Sequence, residues 1–273
     1  MPDVKPTSIV KEFAPWSISK ADVAQQCPHR FHLQYVKKKK MDLPPGKEAL
    51  IGKAVHSVLE YALKPYGRTA VDQCYLQAIK EHQLTTTEAE EAREFQPAVA
   101  NFMRRFESYR KLHDISFPSI EQRLAVDFDG NPINFWNDEK GLLRGVIDLS
   151  AFFKNYPWAL ILDHKTGKEH DLKYFDKQFN AYALFLKATK PDLQHVKLGI
   201  NFVRTDHVAF KKGMLDVRDV QPLFEQVLTF LNKATIDTHK HELVRPGPLC
   251  GWCDYRSICP AHADGANGKQ ASK

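Results

Sequence analysis

No apolar run in this sequence approaches the ~20 residues a membrane-spanning helix requires. The first residues carry no apolar stretch of the signal-peptide kind, so nothing in the chain reads as secretory. No internal repeat is visible, and no G-x4-G-K-[ST] loop is present, which excludes a motor of the P-loop type. Cysteine is scarce, with five in 273 residues, and disulfides are a poor reading of them in a chain without secretory features. The expected setting is cytoplasmic, with no membrane partner.

What is present is an ordinary globular composition, 43% hydrophobic and 26% charged. The length suffices for one substantial core, and a single domain is the economical count. A net charge of +6 favours a polyanion without dictating one. Lys37, Lys38, Lys39 and Lys40 form a basic block that reads either as a solvated face or as a grip on phosphates.

Periodicity predicts a helix capped by Ser19 and running to about Tyr35, kinked at Pro28. Apolar residues at 51, 54, 55, 58, 59 and 62 predict a helix over 47–63. A further helical region spans about 70–112, divided into two near Thr85-Thr86-Thr87. Short alternating runs then predict strands at about 119–128, 132–136, 142–153 and 158–165, with a turn at Asp129-Gly130-Asn131-Pro132. A helix over 172–189, a hairpin over 194–204 and 206–212, and a helix over 216–236 follow. The small, polar tail 262–273 is expected to be disordered.

The chemistry concentrates in Arg144-Gly145-Val146-Ile147-Asp148 and Leu162-Asp163-His164-Lys165-Thr166-Gly167. Two neighbouring strands would deliver two carboxylates, and Lys165 shares a face with Asp163 because strand side chains alternate. Such a set suits a hard divalent cation and a scissile phosphate. An Asp-x-Lys spacing alone is more often a solvated ion pair worth ~0–1 kcal/mol. Two other segments accompany it: His56 and Glu60 lie four apart on the 47–63 helix, as do Gln178 and Tyr182 on the 172–189 helix. Glu60 and Glu121 are candidate outer carboxylates, with surface salt bridges as their plainer reading. Phe31, Tyr35, Trp136, Tyr174 and Phe175 are candidates for stacking on unpaired bases, although most aromatics serve a core.

Cys250-x2-Cys253-x5-Cys259 lies near the end of the chain, and Cys27 far upstream precedes Pro28. Four cysteines suit tetrahedral zinc or an iron–sulfur cluster, and their spacing does not separate the two. Cys74, among apolar helical neighbours, reads as a buried thiol outside this set.

Gly52-x3-His56-x2-Leu59-Glu60, Gly145-x2-Asp148, Asp163-His164-Lys165-Thr166-Gly167 and Gln178-x3-Tyr182, in this order, resemble the RecB-type branch of the PD-(D/E)xK nucleases. The likeness runs from about Ser17 to Pro260. It implies an α/β fold: a restriction-endonuclease-like core with a mixed central sheet flanked by helices, an N-terminal helical lobe and an iron–sulfur-stapled C-terminal segment. The implied organisation is one nuclease domain over 1–261, with the lobe at about 17–112, the catalytic core at about 117–236 and the cysteine segment at 250–260 joined to Cys27. His56, Asp148, Asp163 and the backbone carbonyl of His164 become ligands for Mg2+ or Mn2+, the imidazole favouring the transition metal. Lys165 becomes the catalytic lysine, acting with Asp148 and Asp163, and Gln178 and Tyr182 shape the site.

The cysteine arrangement resembles the iron–sulfur subset, AddB-type and CRISPR-associated exonucleases, which implies a 4Fe–4S cluster on Cys27, Cys250, Cys253 and Cys259, with zinc as the rival. The implied activity is exonucleolytic hydrolysis of DNA, at duplex ends or on single strands, in recombination, repair, replication or CRISPR adaptation. A helicase, primase, annealing protein or CRISPR integrase is the kind of partner implied. The competing readings are a non-cleaving iron–sulfur subunit that recognises DNA ends and a zinc-stapled structural module.

Overall fold

The computed structural model of the chain describes residues 10–41, 46–64 and 70–263. The tail beyond 263, expected to be disordered, lies outside them, whereas His262 sits in a short helical turn, Pro260–Ala263.

Helix α1 (Ile18–Gln26) begins one residue after Ser17, whose Oγ accepts the Lys20 N–H at 3.1 Å. Ser17 is therefore the cap, and Ser19 lies inside the first turn. The helix does not continue to Tyr35. Pro28 disfavours helical backbone in the residue before it, and Cys27 is extended at φ −153°, ψ 102°. The chain resumes as a helical turn, Pro28–Phe31, and a π-helical turn, His32–Val36.

Helix α2 (Lys47–Leu63) matches the predicted span. The region after it forms three helices, not two: α3 (Val71–Glu81), α4 (Thr86–Arg93) and α5 (Gln96–Leu112). The break near Thr85 is a capping box with Glu88. The second break falls just before Pro97, which occupies the first turn of α5.

The sheet comprises β1 (Ser119–Asp127), β2 (Pro132–Ile133), β3 (Gly141–Phe152) and β4 (Trp158–Lys165). After helix α6 (Asp176–Thr189) come β5 (His195–Phe202), β6 (His207–Phe210) and the two-residue β7 (Leu215–Asp216). Helix α7 (Gln221–Thr238) follows. The order is β2-β1-β3-β4-β5-β6, with β7 pairing the start of β5. Strands β4 and β5 are parallel and joined by the α6 crossover, while the other pairs are antiparallel, so the sheet is mixed.

Side-chain alternation in β4 sorts the helices into two layers. Ala159 and Ile161 belong to a core with α1, α6 and α7, including Ala24, Phe179, Phe185 and Leu231. Leu160 and Leu162 belong to a second core with α2, α3 and α5, including Val55, Val58, Tyr75 and Phe102. The helices of 17–112 are thus divided between the two faces of the sheet. Among the described residues no helix is long and apolar enough to cross a membrane.

Candidate active site

Strands β3 and β4 pair with Leu149 opposite Leu162, and one further step brings Asp148 beside Asp163. Both are buried, at 9% and 1% exposure. The His164 N–H donates to Asp148 Oδ2 at 2.7 Å, which fixes one carboxylate on the backbone of the other strand. Helix α2 crosses the end of β4 closely enough that a Cβ on Gly52 would lie 2.9 Å from Thr166 Oγ1. One turn beyond that contact, His56 Nδ1 lies 3.6 Å from Asp148 Oδ2.

Asp163 is held from the other layer. Gln178 Nε2 on α6 donates to its Oδ1 at 2.7 Å, and the Tyr182 hydroxyl donates to the same oxygen at 3.2 Å. Gln178 also donates to the Tyr182 hydroxyl oxygen at 2.6 Å. Lys165 Nζ lies 2.6 Å from Asp163 Oδ2, an ion pair outside hydrogen-bond alignment that leaves this buried oxygen able to accept. The same amine stands 5.6 Å from the centre of the Phe175 ring. All the residues expected at one point are therefore neighbours, arranged in two groups. His56 and Asp148 form one, and Asp163, Lys165, Gln178 and Tyr182 form the other.

Glu121 joins the first group. One ligand atom each from His56, Glu121 and Asp148 lie within 4.8 Å of one another, the sole such trio of metal-binding side chains among the described residues. Glu121 is half-buried in the cleft, so it is not the salt-bridged surface residue expected. It lies between the β1–β3 pairs Ile120–Leu149 and Gln122–Ile147, opposite Asp148. Its φ of 49° is a left-handed conformation that a non-glycine residue holds only when its surroundings impose it. Glu60 does pair with Lys64, at 2.9 Å, yet it also lines the cleft together with Lys53, Glu121 and Thr166.

The electrostatics are those of crowded carboxylates. Burial, then the charges of Asp163 and Glu121, push the Asp148 carboxyl well above its usual range, against the pull of the His164 N–H and Lys165. Burial likewise raises Glu121, with Glu60 and Asp163 adding repulsion. Burial lowers His56, opposed by Asp163 and by a hydrogen bond to the His164 backbone. Two acids and an imidazole that resist ionising alone form a donor set that a divalent cation would satisfy.

A residue not anticipated from the sequence is Asn201 on β5, whose amide donates to His164 Nδ1 at 3.0 Å. His164 is buried, with its ring edge-on to Phe102 at 5.1 Å. A polar residue amid the apolar run Leu198-Gly199-Ile200-Asn201-Phe202 was the available signal.

The four cysteines Cys27, Cys250, Cys253 and Cys259 line one cavity, where residues 26–33 meet residues 244–262. Cys74 is buried elsewhere, among the helices of the second core. Lys37, Lys38, Lys39 and Lys40 are exposed and do not line the carboxylate cleft. The Tyr255 hydroxyl, between Cys253 and Cys259, donates to the Lys39 carbonyl at 3.0 Å, tying the block to the cysteine segment. Of the aromatics considered for base stacking, Phe31 and Phe175 are core residues, and Tyr35 packs on Phe31. Trp136 and Tyr174 remain 70% and 69% exposed.

A mixed sheet between helical layers, with two strand carboxylates and a lysine two residues past the second, defines a nuclease of the restriction-endonuclease-like class. The sequence profile of the PD-(D/E)XK nuclease superfamily matches residues 15–260, and the chain belongs to that superfamily. No curated protein matches the chain. Among solved structures, a candidate exonuclease from Eubacterium rectale superposes with a TM-score of 0.50 at 10% identity, covering 99% of this chain and 94% of that one. It shares the fold. SSO0001 aligns over 94% of this chain and 96% of its own at 15% identity, but its TM-score of 0.33 is too low to bear on the fold.

Proposed function

We propose that this nuclease is a metal-dependent exonuclease of DNA, cutting phosphodiesters at ends or on single strands. The observation that carries the reading is the approach of His56, from a helix, to within 3.6 Å of Asp148, on the strand beside the Asp163–Lys165 pair. His56, Asp148, Asp163 and the His164 carbonyl would hold Mg2+ or Mn2+, and Glu121 is placed to add a carboxylate. When bound, the ion supplies Lewis acidity and a water of lowered pKa.

The chain's own groups divide the remaining work. Lys165 directs its amine toward the attacking water and the phosphoryl oxygens. Gln178 and Tyr182 hold Asp163 Oδ1, so that Oδ2 stays turned to the lysine. Lys37 to Lys40 and the exposed Trp136 and Tyr174 are the surface groups that suit a single strand.

We read the cysteine cavity as the seat of an iron–sulfur cluster, with zinc as the rival. What supports it is that Cys27, Cys250, Cys253 and Cys259 line one cavity, in the one-before, three-after order of the iron–sulfur subset that the sequence resembles. The proposed organisation is one nuclease domain to residue 261, closed by this cluster.

The test is cleavage of end-labelled single-stranded, blunt and tailed DNA, with each end blocked in turn, in Mg2+ or Mn2+. Cleavage from a free end by the native chain, reduced at least ~100-fold by Lys165→Ala or Asp163→Ala, is expected. Native rates in either variant would overturn the site, and DNA binding without cleavage by the native chain would favour a recognition subunit.

A further inference from the structure

The cavity lined by the four cysteines also holds side chains that the cysteines do not explain. Arg245 is committed: it donates to the Gln25 carbonyl and, at 2.8 Å, to Asp237. His29 is committed to the His241 carbonyl at 3.0 Å. Two others are not. Arg30 Nε and His262 Nε2 are buried and have no hydrogen-bond partner among the described residues, although both residues line this cavity.

A buried guanidinium N–H without an acceptor costs several kcal/mol. Leu33, Val244 and Pro246 line the cavity with apolar side chains, and neither Gln26 nor Tyr255, which also line it, accepts from Arg30 Nε. Arg30 follows Cys27 by three residues on the helical turn Pro28–Phe31, so it rises on the side of that cysteine. Thiolate and sulfide sulfurs are anionic acceptors, and they are what this cavity would contain.

We propose that Arg30 donates its Nε–H to a sulfur of the cluster held by Cys27, Cys250, Cys253 and Cys259, with His262 as a second donor, and that this pair sets the cluster's reduction potential. The proposal rests on the iron–sulfur reading above. Hydrogen bonds to cluster sulfurs and nearby positive charge favour the reduced, more negative state, and so raise the potential. Arg30 acts through the cluster and has no part in phosphodiester hydrolysis.

The experiment uses the full chain purified without oxygen, with midpoint potential followed by visible absorption and electron paramagnetic resonance. Arg30→Gln should retain the absorption of the native protein but show a lower midpoint potential and faster bleaching by an iron chelator. Arg30→Lys keeps the charge and the stem, and should fall between the two. His262→Gln should shift the potential in the same direction by less. A native potential and bleaching rate in Arg30→Gln and His262→Gln would overturn the proposal, as would a lowered melting temperature with no change in potential. If Arg30→Gln does not fold, Arg30→Lys and His262→Gln carry the same comparison. A colourless native protein with stoichiometric zinc and no sulfide would instead refute the cluster itself, an outcome visible before any variant is made.

Discussion

Asp148 shows at the scale of one residue how the site opposes the stability of the chain that carries it. Its carboxyl is raised because burial and two neighbouring acids disfavour the charged form. A carboxyl raised in the folded state binds more protons there than in the unfolded chain. The stability it contributes is therefore fully present below the ordinary carboxylate range and lost as pH rises through the raised value. Asp148→Asn, which still accepts the His164 N–H, should raise the melting temperature of metal-free protein at neutral pH by about 2–4 °C per kcal/mol relieved. The same change should abolish cleavage and the stabilisation conferred by Mn2+. Thermal melts with and without Mn2+ check both, and a lower metal-free melting temperature would contradict the account. Glu121→Gln should weaken Mn2+ binding measured by calorimetry while leaving the fold intact. His56, Asp148, Asp163 and Lys165 were legible in the sequence because their spacing survives in the order of the motifs. Glu121 was legible only as a candidate beside its plainer surface reading, because its placement depends on cross-strand pairing and on a left-handed backbone that no local pattern encodes.

Among the elements, α2 and β4 are the pair whose separation decides whether histidine and carboxylate meet. Gly52 permits their approach, since a methyl there would press on Thr166 Oγ1 at 2.9 Å. Gly52→Ala should reduce cleavage about tenfold by pressing on Thr166 and moving His56 away from Asp148, with little net change in stability, since alanine recovers about 0.5–1 kcal/mol over glycine inside a helix. Adding Thr166→Ala, which removes the opposing oxygen, should restore much of the rate. A double variant no better than the single one would show that the helix is positioned by something else. The spans of α2, α6 and the main strands follow from period and turn chemistry, so they could be read in advance. The start of α1 and the split between α4 and α5 could not, because Ser17 and Ser19 are equivalent caps on paper and Pro97 admits either a helix start or a kink. Strand β7, two residues long, exists only because β5 offers an edge to it.

For the whole molecule, the question is what joins a chain whose first and last described segments share a cavity. Four cysteines bridging Cys27 to the 250–259 run would close nearly the whole chain into a loop. Cys27→Ser or Cys253→Ala should remove the visible absorption and lower the melting temperature by on the order of 5–10 °C. An unchanged melt would show that the cluster is no staple. The cysteines are not alone in this duty, however. Arg245 links the Gln25 carbonyl at the end of α1 to Asp237 near the end of α7, and Ala24 packs in one core with Leu231 and Ala234. That clasp requires neither iron nor sulfide. With the proposed cluster, such a clasp should make the receptacle refillable: a preparation stripped of the cluster's colour should regain it on incubation with iron and sulfide, with no denaturation step in between.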